Sequence, residues 1–103
     1  GRKKDMFKSG GENVYPPEIE QVIRTLDGIR EVAVVGVKDP KWGEVGYAFL
    51  VKDRNLIDES TLLLHCQKNL AKFKIPKYFK FVDALPKGDS GKILKKNLVP
   101  GPF

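Results

Sequence analysis

Apolar side chains recur along this chain at helical spacing in two places and at strand spacing in three. Ile19, Val22, Ile23 and Leu26 fall at i, i+3, i+4 and i+7, which predicts an amphipathic helix over residues 18–26, opened by Pro16-Pro17 and ended by Asp27-Gly28. Residues 31–37 are β-branched and nearly continuous, and residues 47–51 are aromatic and apolar; both read as central strands. Residues 38–44 between them read as a loop, with a large apolar side chain, Trp42, stranded on it. Asp58 is placed to cap a second helix, along which Leu62, Leu63, Cys66, Leu70 and Phe73 form a stripe ending before Pro76. Residues 78–82 alternate as a third strand, residues 85–92 form a polar loop, and residues 93–98 fit a short final helix. The opening stretch suits short extended pieces around the tight turn that Gly10-Gly11 permits. The expected fold is therefore α+β: a small three-stranded sheet with two or three helices packed on it, preceded by a short hairpin-like opening.

Composition narrows the function classes. With 103 residues there is room for one domain and one modest core. The longest apolar runs fall far short of a membrane span, and no transmembrane segment or signal peptide is expected. One cysteine, Cys66, excludes an internal disulfide framework, and beside the single His65 it cannot assemble a metal-ligand set. A reduced, cytoplasmic setting is the expectation. The net charge of +6 favours an anionic partner, whether nucleic acid, a membrane surface or a polyphosphate ligand, and charge alone does not choose among them.

Lys92, after Ser90-Gly91, looks at first like the end of a phosphate-binding loop. The first glycine and the strand–loop–helix frame of such a loop are missing, so that reading fails. What survives is a lysine on a small-residue loop, able to offer its ammonium to phosphate or carboxylate oxygens as a point charge.

The punctuation of the whole chain is more specific. Gly1-Arg2-Lys3-Lys4-Asp5-Met6, Gly10-Gly11-Glu12-Asn13-Val14-Tyr15-Pro16, Glu18-Ile19-Glu20, Gly43-Glu44, Phe73-Lys74-Ile75-Pro76, Leu85-Pro86-Lys87 and Ser90-Gly91-Lys92 follow one another at characteristic separations. In order and spacing, across residues 1 to about 96, they resemble the carboxy-terminal domain of the adenylate-forming acyl-CoA ligases, nearest to the fatty-acyl and aryl-CoA ligases. The resemblance implies that residues 1–103 are the mobile small domain, with a hinge near residues 2–5 and a catalytic-lysine loop at 86–92. A large amino-terminal domain that binds ATP and the acid would lie outside this sequence. Such an enzyme joins a carboxylic acid to AMP, then passes the acyl group to coenzyme A, and its small domain turns between the two steps. The fragment alone is expected to be inactive, and Mg2+ accompanying ATP would be held through the absent domain.

Carried over position by position, the resemblance implies that Lys92 enters the site for adenylation and acts electrostatically. Arg2 would bind the nucleotide ribose, Lys4 would be the hinge, and Gly10, Gly11 and Glu12 would line the passage for the pantetheine arm. Trp42, Phe73, Lys74 and Lys77 would meet the nucleotide end of coenzyme A, which calls for an aromatic surface and cations. Two of these admit a second reading: Trp42 as cover for the sheet edge and Phe73 as the last core residue of its helix. Lys3-Lys4 likewise also reads as a solvated basic pair. Two departures stand out. Ile75 occupies a place where a relative with this binding mode can carry a basic residue, and Gly88-Asp89 stands where the family usually has Thr or a similar residue after the basic one, which adds flexibility and a negative charge and implies a less preorganised Lys92. The alternative function is a stand-alone basic module for nucleic acid or an acidic partner, motivated by the charge and by aromatics interleaved with lysines from Phe73 to Phe81.

Overall fold

A computed structural model describes residues 5–53 and 57–98 and forms one five-stranded sheet with two helices. The strands are β1 (Phe7–Ser9), β2 (Glu12–Val14), β3 (Ile29–Asp39), β4 (Gly43–Lys52) and β5 (Tyr78–Phe81), and the helices are α1 (Pro16–Arg24) and α2 (Glu59–Asn69). The three expected strands are present. The opening hairpin β1–β2 adds two more, joining the sheet where Ser9 pairs with Gly43. Its two-residue loop is Gly10-Gly11, with φ of +59° and +85°, the turn that matches the twist of a tight hairpin.

Strand β4 is central: β3 lies antiparallel along one side, while β1 and then β5 occupy the other. β5 runs parallel to β4, and α2 makes the crossover that a parallel pair requires. β3, expected to be central, is an edge strand. It reads as a continuous apolar run because both faces of the sheet are covered. Val32, Val34, Ala48 and Leu50 face the helices with Ile19, Ile23 and Leu62, while Ala33, Tyr47, Phe49 and Val51 face a second cluster closed by Leu85, Ile93 and Leu98.

Helix α1 begins two residues earlier than the apolar spacing predicts, because Pro16 and Pro17 occupy its first positions. Asp58 caps α2 as expected, its carboxylate accepting the Thr61 N–H at 2.8 Å. α2 stops at Asn69 rather than running to Phe73. Leu70 turns extended, and a separate 3-10 turn, Lys72–Lys74, precedes Ile75, which the following proline holds in extended conformation. That break matters for function, since it takes Phe73 out of the helix stripe and leaves it 38% exposed. The final helix is reduced to one 3-10 turn, Lys95–Asn97, because Ile93 is used instead in a bridge to Lys87. His65 ties the helices together, its Nε2 lying 3.0 Å from the Val22 carbonyl of α1 and 3.0 Å from Thr25 Oγ1.

Candidate functional site

The residues singled out in the sequence gather at opposite ends of the β3–β4 hairpin. At the turn end, Asp39 closes β3 with its side chain only 2% exposed. Its Oδ2 accepts the backbone N–H groups of Lys41 (3.0 Å) and Trp42 (2.9 Å), and its Oδ1 accepts Lys77 Nζ at 2.8 Å. The hydrogen bond from Lys77, and next that from the Trp42 amide, hold the Asp39 carboxyl below its ordinary range; the same bond to Asp39 raises Lys77. The Trp42 carbonyl accepts the Gly10 N–H at 2.8 Å, and a Cβ on Gly10 would stand 3.0 Å from the indole. Two turns from distant parts of the sequence are thereby locked together.

Beside them opens a groove of about 570 Å³, lined by Trp42, Val45, Leu63, Phe73, Ile75 and Lys77 among others. Trp42 is 47% exposed, so neither aromatic is a core residue. The structure thus brings Gly10, Trp42, Phe73 and Lys77 to one place. Lys74 points elsewhere, its Nζ 3.0 Å from Glu18 Oε2 on α1 and 5.6 Å from the Phe73 ring centre. Gly11 and Glu12 are exposed at the tip of the opening hairpin. A Cβ on Gly11 would meet nothing within 4 Å, so its positive φ, rather than a close approach within the domain, accounts for the glycine.

Lys92 stands at the other end. The loop carrying it is a closed turn rather than a loose one: the Gly91 N–H donates to the Gly88 carbonyl (3.0 Å), Gly88 N–H to Lys92 O (2.9 Å) and Leu94 N–H to Pro86 O (2.8 Å). Gly91 at φ +83° completes the turn, and Gly88-Asp89, expected to loosen it, lies within this hydrogen-bonded frame. Among the described residues no carboxylate pairs with the exposed Lys92, which opens on a cleft lined by Pro17, Glu20, Arg24 and Val32. Glu31, paired with Lys87 on this loop at 2.7 Å, and Asp39 at the turn lie eight residues apart on β3, about 26 Å of extended strand. Arg2 and Lys4 fall outside the described residues.

Several residues at these sites have no role assigned from the sequence. Asp39 precedes Pro40 in a pattern typical of an Asx turn, a signal that was there to use. Glu20 sits on the inner side of α1, only 7% exposed, next to Ile19; a carboxylate on an apolar face asks for a partner. Lys72 lines the groove and supplies a cation where Ile75 does not. The aromatics from Phe73 to Phe81 do not form one stacking platform: Phe79 and Phe81 pack on the helix-side core and Tyr78 on the opposite cluster. Burial pushes the Cys66 thiol up to about 11, so it stays protonated and offers no nucleophile. No helix of the described residues is long and apolar enough to cross a membrane.

Residues 18–92 match the family model of the AMP-binding enzyme C-terminal domain. The chain is 50% identical over 94 residues to the long-chain-fatty-acid–CoA ligase FadD13 of Mycobacterium tuberculosis, covering 91% of this chain and 19% of that protein. It is also 50% identical over 97 residues to a 2-succinylbenzoate–CoA ligase of Listeria monocytogenes, covering 94% of this chain and 21% of the relative. Among solved structures, o-succinylbenzoate CoA synthetase from Bacillus subtilis in complex with the acyl-adenylate intermediate OSB-AMP superposes with a TM-score of 0.91 at 39% identity, over 98% of this chain and 21% of that one. The chain therefore spans about a fifth of the length of the curated relatives it matches. With a five-stranded α+β fold, a family match over residues 18–92 and relatives at this level of identity, the chain belongs to the AMP-binding enzyme C-terminal domain family.

Proposed function

We propose that this chain is the small, turning domain of an ATP-dependent acyl-CoA ligase, which converts a carboxylic acid to its acyl-adenylate and then to its coenzyme A thioester. The observation that carries the reading is the placement of two unlike sites at opposite ends of one β-hairpin. One is an unpaired ammonium on a tight loop; the other is an aromatic groove with tethered cations. With about 26 Å of strand between Glu31 and Asp39, a single small reaction centre does not meet both at once. A domain that turns between the half-reactions presents each in its step.

In the first step, the Lys92 ammonium would stand by the attacking carboxylate and the α-phosphate, offsetting negative charge as the acyl–phosphate bond forms and pyrophosphate leaves. Lys92 forms no covalent bond and acts through its charge alone. Arg2 would hold the ribose and Lys4 would be the pivot. In the second step, the Gly10-Gly11-Glu12 turn would flank the pantetheine arm. Trp42 and Phe73 would take the adenine of coenzyme A, with Lys77 and Lys72 near its phosphates and Lys74 a weaker contributor because Glu18 holds it. The Mg2+ that accompanies ATP would be held through the large domain.

The test separates the half-reactions in the ligase containing this domain. Lys92→Ala should abolish pyrophosphate release from ATP and acid while leaving most of the transfer from supplied acyl-adenylate to coenzyme A. Equal loss in both steps would count against an alternating domain.

A further inference from the structure

The tip of the Lys92 loop is exposed, so its aim depends on what holds the two stems. The incoming stem is fixed by Leu85 in the core and by Lys87, whose pair with Glu31 is 43% and 26% exposed. Exposed pairs of this kind contribute little. The outgoing stem passes from Lys92 through Ile93 and Leu94 into the 3-10 turn at Lys95. There the Lys95 ammonium lies 2.8 Å from Glu20 Oε2, with side chains 23% and 9% exposed, and 3.8 Å from Asp5 Oδ2. The same Glu20 oxygen accepts the Val34 N–H at 2.8 Å, capping an amide of edge strand β3. One ammonium thus joins the stem leaving Lys92 to α1, to the sheet edge and to the segment that follows the proposed hinge.

We propose that Lys95 is the positioning residue for Lys92, holding the lysine loop against the body of the domain through Glu20. A largely dry ion pair resists bending far better than a solvated one, because breaking it strands a buried carboxylate. The catalytic benefit of a point charge depends steeply on where it stands, and a displacement of about 1 Å costs up to about a hundredfold in rate. Asp5, farther away at 3.8 Å and next in sequence to the proposed hinge residue, shares the same cation.

This inference rests on the ligase reading. The first experiment is independent of it: amide hydrogen exchange on the 103-residue chain carrying Lys95→Met with Glu20→Gln. The glutamine amide oxygen can still accept the Val34 N–H, so no buried charge is orphaned and the fold is kept. The Gly88 and Leu94 amides that close the loop should exchange about tenfold faster while the Leu50 amide of β4 is unchanged; unchanged loop exchange would overturn the anchor. In the ligase, Lys95→Met and the double variant should slow acyl-adenylate formation about tenfold and leave thioester formation within about twofold, with Lys95→Arg restoring the rate to within about threefold. Equal slowing of both steps would make Lys95 merely structural. Full adenylation in these variants, where Lys92→Ala abolishes it, would refute the positioning role alone, whereas adenylation surviving Lys92→Ala would bring down the ligase assignment itself.

Discussion

The two ends of the β3–β4 hairpin use lysine in opposite ways. At the turn, Lys77 is bound at 2.8 Å by Asp39, a nearly buried carboxylate that also holds the amides of Lys41 and Trp42. At the other end Lys92 has no such partner among the described residues, while its neighbours Lys87 and Lys95 are the ones tied to carboxylates. A groove that must recognise a ligand with a fixed shape gains from tethered side chains and a locked turn. A charge that must meet a developing anion gains from being unpaired, on a loop whose backbone is held for it. On the proposed reading, counting lysines, or mapping positive charge, would not separate recognition from catalysis; the partners of each ammonium would.

The largest effect expected from breaking this contrast is at Lys92. Lys92→Ala should lower acyl-adenylate formation by about a hundredfold or more, while thermal unfolding of the chain is unchanged because the exposed side chain makes no ion pair among the described residues. At the groove, Trp42→Ala should raise the KM for coenzyme A about tenfold, in line with the worth of one base–aromatic stack, and leave adenylation within about twofold. If Trp42→Ala instead slowed adenylation, the two ends would not be separate sites. A paired glycine comparison comes next. Gly10→Ala places a Cβ against the Trp42 ring and also forces a positive φ, whereas Gly91→Ala meets open space at φ +83° and carries only the conformational strain. Both should cost about 1 kcal/mol of stability in denaturant titrations, and only Gly10→Ala should also raise the KM for coenzyme A.

The smallest effect is on pH dependence. The Asp39 carboxyl is held low in the folded state, so its pair with Lys77 supports the turn fully above the ordinary carboxylate range and is lost as pH falls through the lowered value. Lys77 is raised, so from its side the support is present below the ordinary lysine range and fades only as pH rises through the raised value. Trp42 fluorescence should therefore be steady across neutral pH and change in strong acid before the core unfolds; in Asp39→Asn the acid step should vanish. A step at neutral pH would contradict the pairing.

Much of this was legible along the chain, and the reason is local. The apolar spacing of α1, the Asp58 cap of α2, the apolar runs of β3 and β4 and the Gly10-Gly11 turn all depend on side chains within a few residues, and each reappears in the fold. What misled was also specific. Phe73 fits the helical stripe of α2, yet Leu70 leaves the helix, and nothing local marks that departure as strongly as the packing of the following 3-10 turn does. Gly88-Asp89 suggests a loose loop because hydrogen bonds from Gly88 to Lys92 and from Leu94 to Pro86 are set by how two stems meet. The continuous apolarity of β3 gives coverage of both faces but not sheet position, which depends on what pairs with its free side.

By itself, the sequence determined the elements, the single-domain scale and, through its spaced motifs, the family and the lysine on which the proposed chemistry turns. Those properties are carried by local conformational preference and by residue identity. Only the tertiary structure decided which lysines are tied and which is unpaired, that Gly10 and Trp42 lock together, and that Glu20 takes both a sheet-edge amide and Lys95. The contacts among these join residues from about 14 to about 75 positions apart. Nothing near either partner in the chain encodes the meeting; it exists because the sheet and its covering helices bring them together.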